Sequence, residues 1–216
     1  MRQVLSEANS AKLRTLAGKK NIVVIDEAQR VENIGLTLKL FTDNLTDIQI
    51  IASCSSSLEL ADNISEPLTG TKFVFELFPL SFREMAEHSS LLEERRMFEH
   101  RLIYGYHPEI VNNPGDETER LQLIADSLLY KDILSMDLIK KPAVIDKLLR
   151  SLALQIGSEV SYKELGVTVG ADNETVEKYI DLLEKSFIIF KLGSFSRNAR
   201  NEIKKGKKIY FTDNGI

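Results

Sequence analysis

Only one cysteine, Cys54, stands in the 216 residues. No internal disulfide is therefore possible, and a metal site built on thiolates lacks its ligands. Three histidines, His88, His100 and His107, give poor support to a histidine metal cluster. No apolar run reaches the ~18 residues that a membrane span needs. The opening MRQVLSEANSAKLRTL lacks the uninterrupted apolar core of a secretory signal. These absences point to a reducing, cytoplasmic setting. A net charge of −4 excludes a polycation built for nucleic acid along its whole length. The charge is uneven, however: from Lys141 to Ile216 there are 13 basic and 10 acidic side chains, a net of +3, which leaves −7 for the rest. An acidic first part and a basic tail suggest two units with different partners.

What is present is ordinary globular material, 43% apolar and 28% charged, enough for one large domain or two small ones. Residues 2–17 read as one amphipathic helix that stops at Gly18. Residues 21–25 are a short apolar run, as in a parallel strand buried on both faces. Residues 34–45 return to helical spacing, 47–53 read as a second buried strand, a helical turn follows around Ser57–Leu60, and KFVFELF (72–78) reads as a third strand. This alternation predicts a parallel α/β sheet with right-handed crossovers. Ser81 with Glu84 forms a capping box for the next helix. The pattern stays helical to about Lys140, broken by YHPEIVNNPGDE. Three helical segments follow: one begins near Pro142, one is capped by Ser161, and one is capped by Asp172 or Asn173. Two β runs, FIIFKLG and KKIYFTDNG, complete the chain.

The candidate chemistry sits in NIVVIDEAQR. An apolar strand that ends in Asp-Glu is the arrangement in which a nucleotide-hydrolysing site holds magnesium with the first acid, through water, and activates the attacking water with the second. Asp26 and Glu27 take those places, at the strand end where open α/β sheets bind ligands. The next strand ends in a run of small hydroxyl residues, of which Ser53 or Ser55 would sense a γ-phosphate. A phosphate-binding G-x-x-x-x-G-K-[ST] loop is missing. Gly18-Lys19-Lys20 is the only Gly-Lys nearby, and it has Leu13 five positions before the glycine and no hydroxyl residue after Lys19.

In this order, NIVVIDEAQRVENIGLTLKLFTDN, IQIIASCSSSLEL and LTGTKFVFELFPLSFREM resemble the second half of the AAA-type ATPase domain of a large bacterial and archaeal family. In that family the AAA domain is followed by a DUF4143-like winged-helix region. YGYHPEIV, LLYKDIL and KKIYFTDNGI are similar to segments of the later region, and SYKELGVTVGADNETVEKYIDLLEKSFIIFKL resembles its winged helix-turn-helix. The resemblance implies α/β architecture: a partial P-loop-type parallel sheet over residues 1–85, a helical segment over 86–140 and a winged helix over 141–216. It implies ATP and Mg²⁺ as cofactors of the intact family, with Asp26 at the magnesium-associated acid and Glu27 at the water-activating acid. Ser53, Cys54, Ser55 and Ser56 stand where the family has a Thr-Gly-Ser-Ser-like run, and Thr71 stands where it tends to have Arg. The family's first strand and Walker A loop are not found. Relatives usually continue past the YFTDNG strand into a nuclease-like domain, so the expectation is a chain truncated at both ends that binds no cofactor tightly by itself.

A winged helix sets its third helix in the DNA major groove while its hairpin touches the backbone. That helix here carries four acids against two lysines, so the basic contacts fall to the wing: Arg197, Arg200, Lys204, Lys205, Lys207 and Lys208. Two functions stay open: a fragment of an ATPase that does not hydrolyse ATP alone, and a winged-helix regulator of duplex DNA with a degenerate nucleotide domain. The first expects a partner chain or a further segment to bring the phosphate loop; neither expects a membrane. A third, a DExQ-type helicase, needs a second motor domain for which the chain leaves no room.

Overall fold

The computed structural model describes residues 2–7, 9–54, 68, 70, 72–127, 141–194 and 207–216. Two compact units divide the chain, Met1–Glu76 and Leu77–Ile216.

In the first unit the stretch expected as one helix is two, α1 (Arg2–Ser6) and α2 (Ser10–Ala17). Asn9 is the reason. Its side-chain oxygen accepts the N–H groups of Ala11 and Lys12 at 3.0 and 3.2 Å, so it starts a helix rather than continuing one. Two strands follow, β1 (Ile22–Ile25) and β2 (Gln49–Ala52), separated by α3 (Ile34–Asn44). They pair in parallel, Ile22 opposite Gln49 and Ile25 opposite Ala52. Parallel neighbours need a crossover of this kind. Val23, Ile25, Ile50 and Ala52 face a core that holds Leu13 and Ala17 of α2 and Ile34, Leu38 and Phe41 of α3. In that core the Thr37 hydroxyl donates to the Leu5 carbonyl at 2.5 Å, which satisfies an acceptor near the end of α1.

Two expectations about these strands are corrected. β1 is not buried on both faces: Ile22 and Val24, with their neighbour Ile51 on β2, are 57%, 65% and 48% exposed. The described helices pack on the opposite face, so only alternate residues reach the core. Residues 72–78 form no strand, and Phe73, Phe75 and Leu77 stand in the open. Their β-propensity has no effect without a ladder to join, because strand preference is realised through cross-strand neighbours. The helical turn expected at Ser57–Leu60 lies outside the described residues.

The second unit begins with short helices: α4 (Phe82–His88), α5 (Leu91–Arg96), α6 (Phe98–Tyr104), α7 (Pro108–Val111) and α8 (Glu117–Ser127). The capping box forms as expected: the Ser81 hydroxyl accepts Glu84 N–H, and the Glu84 carboxylate accepts Ser81 N–H at 2.8 Å. α7 lies inside the predicted break, started by Pro108 at a position where a missing N–H costs nothing. After residues 128–140, outside the described set, come α9 (Pro142–Ala153), β3 (Glu159–Val160), α10 (Tyr162–Val169), α11 (Asn173–Lys185), β4 (Ile189–Leu192) and β5 (Lys207–Phe211). Asp172, rather than Asn173, caps α11, taking Thr175 N–H at 2.8 Å. The strands form an antiparallel sheet in the order β3-β5-β4. Leu148, Leu165, Val176, Ile180, Leu183, Ile189 and Ile209 are buried in this region.

The turn after β5 is held by the helical part of the same unit. The buried Asp213 carboxylate accepts Tyr106 N–H and Gly215 N–H, each at 2.8 Å. Gly105 turns at φ 73 beside it, and a Cβ there would meet Asp213 Oδ1 at 1.6 Å. Nearby, the Tyr106 hydroxyl donates to the buried Glu94 at 2.8 Å, and Arg101 Nε donates to the same oxygen at 3.3 Å. Among the described residues no helix is long and apolar enough to cross a membrane.

Burial, then the hydrogen bond to Glu94 and its charge, push the Tyr106 phenol from 10.0 up to about 12. An acid with a raised native pKa loses its proton first in the unfolded chain. The stabilising contribution of Tyr106 is thus complete below pH 10 and declines as pH rises from 10 to about 12. Urea denaturation of the wild type and Tyr106→Phe across that window tests this: the variant loses the part of the alkaline slope that belongs to this phenol.

Candidate nucleotide-site residues

The parallel register carries past the last paired residues, so Asp26 leaves β1 beside Ser53 at the end of β2. Ser53 N–H donates to the Ile25 carbonyl at 2.9 Å, and Ala28 N–H donates to the Ser53 carbonyl at 2.9 Å. Between these backbone bonds the Ser53 hydroxyl donates to Asp26 Oδ1 at 2.5 Å and accepts Glu27 N–H at 3.3 Å. One hydroxyl thus ties both acidic residues to the neighbouring strand. Asp26 is exposed and Glu27 half-buried, at the C-terminal edge of the strand pair.

Glu27 takes a left-handed backbone, φ 53 and ψ 48, at the start of a 3₁₀ turn (Ala28–Arg30). Such a conformation is uncommon for a residue with a Cβ. Its carboxylate is held from within the turn: Oε2 accepts Gln29 Nε2 at 3.2 Å and pairs with Arg30 Nε at 3.1 Å. Each acid therefore has its own donors, Ser53 for Asp26, and Gln29 with Arg30 for Glu27. The contacts made by Gln29 and Arg30 are not among the expectations from sequence. Sequence carries the spacing of Gln29 and Arg30 after the acid, but not the left-handed backbone that brings their donors back to it.

The structure brings together Asp26, Glu27 and Ser53. Ser55 lies outside the described residues, as do Arg197, Arg200, Lys204 and Lys205. Lys207 and Lys208 lie on β5 of the second unit, Lys207 exposed and Lys208 half-buried. Among the described residues no group of three or more His, Cys, Asp or Glu side chains is arranged to hold a metal ion. The donors at the strand ends are carboxylate and hydroxyl oxygens. That set fits Mg²⁺, which keeps several waters and takes one or two carboxylates with substrate phosphates rather than a complete protein cage.

A family profile described as "AAA domain" matches residues 2–86, and one described as "Domain of unknown function (DUF8612)" matches residues 95–216. The second is a different domain from the DUF4143-like region that the resemblance implied. The chain is similar to several uncharacterized proteins. It is 25% identical over 209 residues to one from Haemophilus influenzae, covering 92% of this chain and 52% of that protein. It is 24% identical over 205 residues to one from Methanocaldococcus jannaschii, covering 86% and 46%. It is 22% identical over 203 residues to one from Mycobacterium tuberculosis, covering 93% and 44%. The chain thus spans about half the length of the curated relatives it matches. No solved structure matches it.

Ser53→Ala removes the shared hydroxyl but keeps both backbone bonds at that position. We expect the amide resonances of Asp26 and Glu27 to shift while the fold survives, at a cost of about 1 kcal/mol. Heteronuclear NMR with thermal melting checks this; unmoved resonances would mean that the hydroxyl does not hold the acids.

Proposed function

The chain belongs to the family of the domain of unknown function DUF8612, which covers residues 95–216 behind an AAA domain, and from that premise we propose that it carries the acid half of an AAA-type ATP site joined to a winged-helix region. The observation that supports this best is the hydrogen-bonded placement of Asp26 and Ser53 at the ends of adjacent parallel strands, within the stretch that matches the AAA domain. Asp26 would hold Mg²⁺ through water, Glu27 would orient and deprotonate the attacking water, and Ser53, with Ser55, would lie toward the γ-phosphate. A bound Mg²⁺ supplies charge neutralisation on the phosphates. What these residues do is present an ordered acid pair at the sheet edge.

No G-x-x-x-x-G-K-[ST] run occurs in the 216 residues. Nothing else in them is expected to cradle a β,γ-phosphate, so a partner chain or a further segment brings that loop. By itself this polypeptide then binds Mg-ATP weakly. Isothermal titration with Mg-ATP tests this: millimolar or weaker binding is expected, and micromolar binding by this chain would overturn it.

A second reading, a DNA-binding winged helix, draws on one feature. α9, β3, α10, α11, β4 and β5 follow one another as three helices and a three-stranded antiparallel sheet. Two of the four acids on α11, Asp181 and Glu184, pair with Lys191 of β4. Burial alone would lower the Lys191 pKa, but the hydrogen bonds and charges of these two carboxylates carry it above the usual 10.5. That pairing leaves α11 less repulsive to phosphates than its composition implies. The wing residues Arg197, Arg200, Lys204, Lys205, Lys207 and Lys208 would supply the phosphate contacts. Gel shifts with duplex DNA should weaken steeply with salt. The same binding after Lys207 and Lys208 are changed to Gln would count against it.

A further inference from the structure

Two adjacent carboxylates can both be drawn to one divalent cation, since Mg²⁺ takes one or two carboxylates beside the waters it keeps. The proposed chemistry needs a division of labour, with one acid on the cation and the other free to face water. Sequence alone does not enforce this, because Asp26 and Glu27 are consecutive and carry the same group.

Glu27 leaves the strand with a left-handed backbone (φ 53) that opens a 3₁₀ turn. Its Oε2 then accepts Gln29 Nε2 and pairs with Arg30 Nε, at 3.2 and 3.1 Å. Asp26 is held separately, by Ser53 at the strand end. The two carboxylates thus have different partners although they are neighbours in sequence.

We propose that Arg30, assisted by Gln29, is a positioning residue that keeps the Glu27 carboxylate off the divalent cation carried by Asp26. This rests on the reading of Asp26 as the cation-bearing acid. The guanidinium presents a fixed fork of donors, which suits a carboxylate better than a lysine ammonium does. The Arg30 and Glu27 side chains are 53% and 39% exposed. Such a pair is weak and screened, so removing Arg30 releases Glu27 without unfolding the unit.

The test uses Mn²⁺ as the probe and the 216-residue chain with ¹³C-labelled Asp and Glu side chains. Paramagnetic relaxation is read at the Asp26 and Glu27 carboxyl carbons. In the wild type, Mn²⁺ should relax Asp26 strongly and Glu27 much less. In Arg30→Ala the relaxation of Glu27 should rise severalfold toward that of Asp26, and Mn²⁺ should bind more tightly as a second carboxylate joins it. Arg30→Lys should restore the difference in part, and Gln29→Ala should move Glu27 in the same direction by less. Arg30→Gln, which keeps the length of the side chain, is the second variant should Arg30→Ala misfold. Equal relaxation of both carbons in the wild type, or no change at Glu27 in the Arg30 variants while Asp26 still responds, would overturn the positioning role alone. No relaxation of Asp26 at any Mn²⁺ concentration would overturn the cation reading beneath it.

Discussion

The parallel pairing of β1 with β2 fixes where the chemistry of the first unit lies. Once Ile25 stands opposite Ala52, the following residues, Asp26 and Ser53, emerge side by side. A single hydroxyl then bridges the Asp26 carboxylate and the Glu27 amide. A one-residue slip in register would send the side chains to the other face and part the acid from the serine. The apolar contacts of Val23, Ile25, Ile50 and Ala52 with the helices oppose such a slip. The packing that makes the core is therefore also what aligns the acids.

That packing is one-sided. Ile22, Val24 and Ile51 form an apolar face that the described helices leave exposed, and Phe73, Phe75 and Leu77 are bare as well. At about 25 cal/mol per Å² of apolar surface, an exposed face of this kind is stabilisation left unrealised. The second unit shows the opposite economy. Its C-terminal turn is drawn in by Asp213, which satisfies two backbone amides while Gly105 leaves room for the carboxylate. Glu94, also buried, is matched by Arg101 and Tyr106. A buried carboxylate stays in place only when its oxygens are satisfied: Glu94 has Arg101 and the Tyr106 hydroxyl, and Asp213 has the amides of Tyr106 and Gly215.

Features that depend on a few adjacent residues were legible in the sequence. The Ser81–Glu84 capping box is local, and so is the Ser161 cap; both needed only spacing and residue type. The meeting of Asp26 with the serine-rich strand end was legible too, because two apolar runs on either side of a helix imply parallel neighbours. What stayed hidden depended on backbone torsion or on missing neighbours. Asn9 lies within a stretch of helical apolar spacing that masks its role, yet asparagine is a preferred helix cap, and its side chain takes the amides of Ala11 and Lys12 to start a new helix. Residues 72–78 have the composition of a strand but pair with nothing among the described residues. The left-handed turn at Glu27, and with it the reach of Gln29 and Arg30, leaves no mark in residue type, since neither glycine nor asparagine stands there. The link between Tyr106 and Asp213 joins residues far apart in sequence, and one chain read alone does not disclose such a contact.

The account rests on Asp26 being an acid placed for a cation, and on Glu27 beside it being held for another task. Crystals of the chain soaked in Mn²⁺ and measured for anomalous scattering address this directly. The expected result is a peak within about 4 Å of the Asp26 carboxylate, the distance of a water-bridged cation, with the Glu27 carboxylate still on Arg30. A well-occupied Mn²⁺ peak elsewhere and none at Asp26, or a cation chelated by both acids with Arg30 displaced, would contradict it.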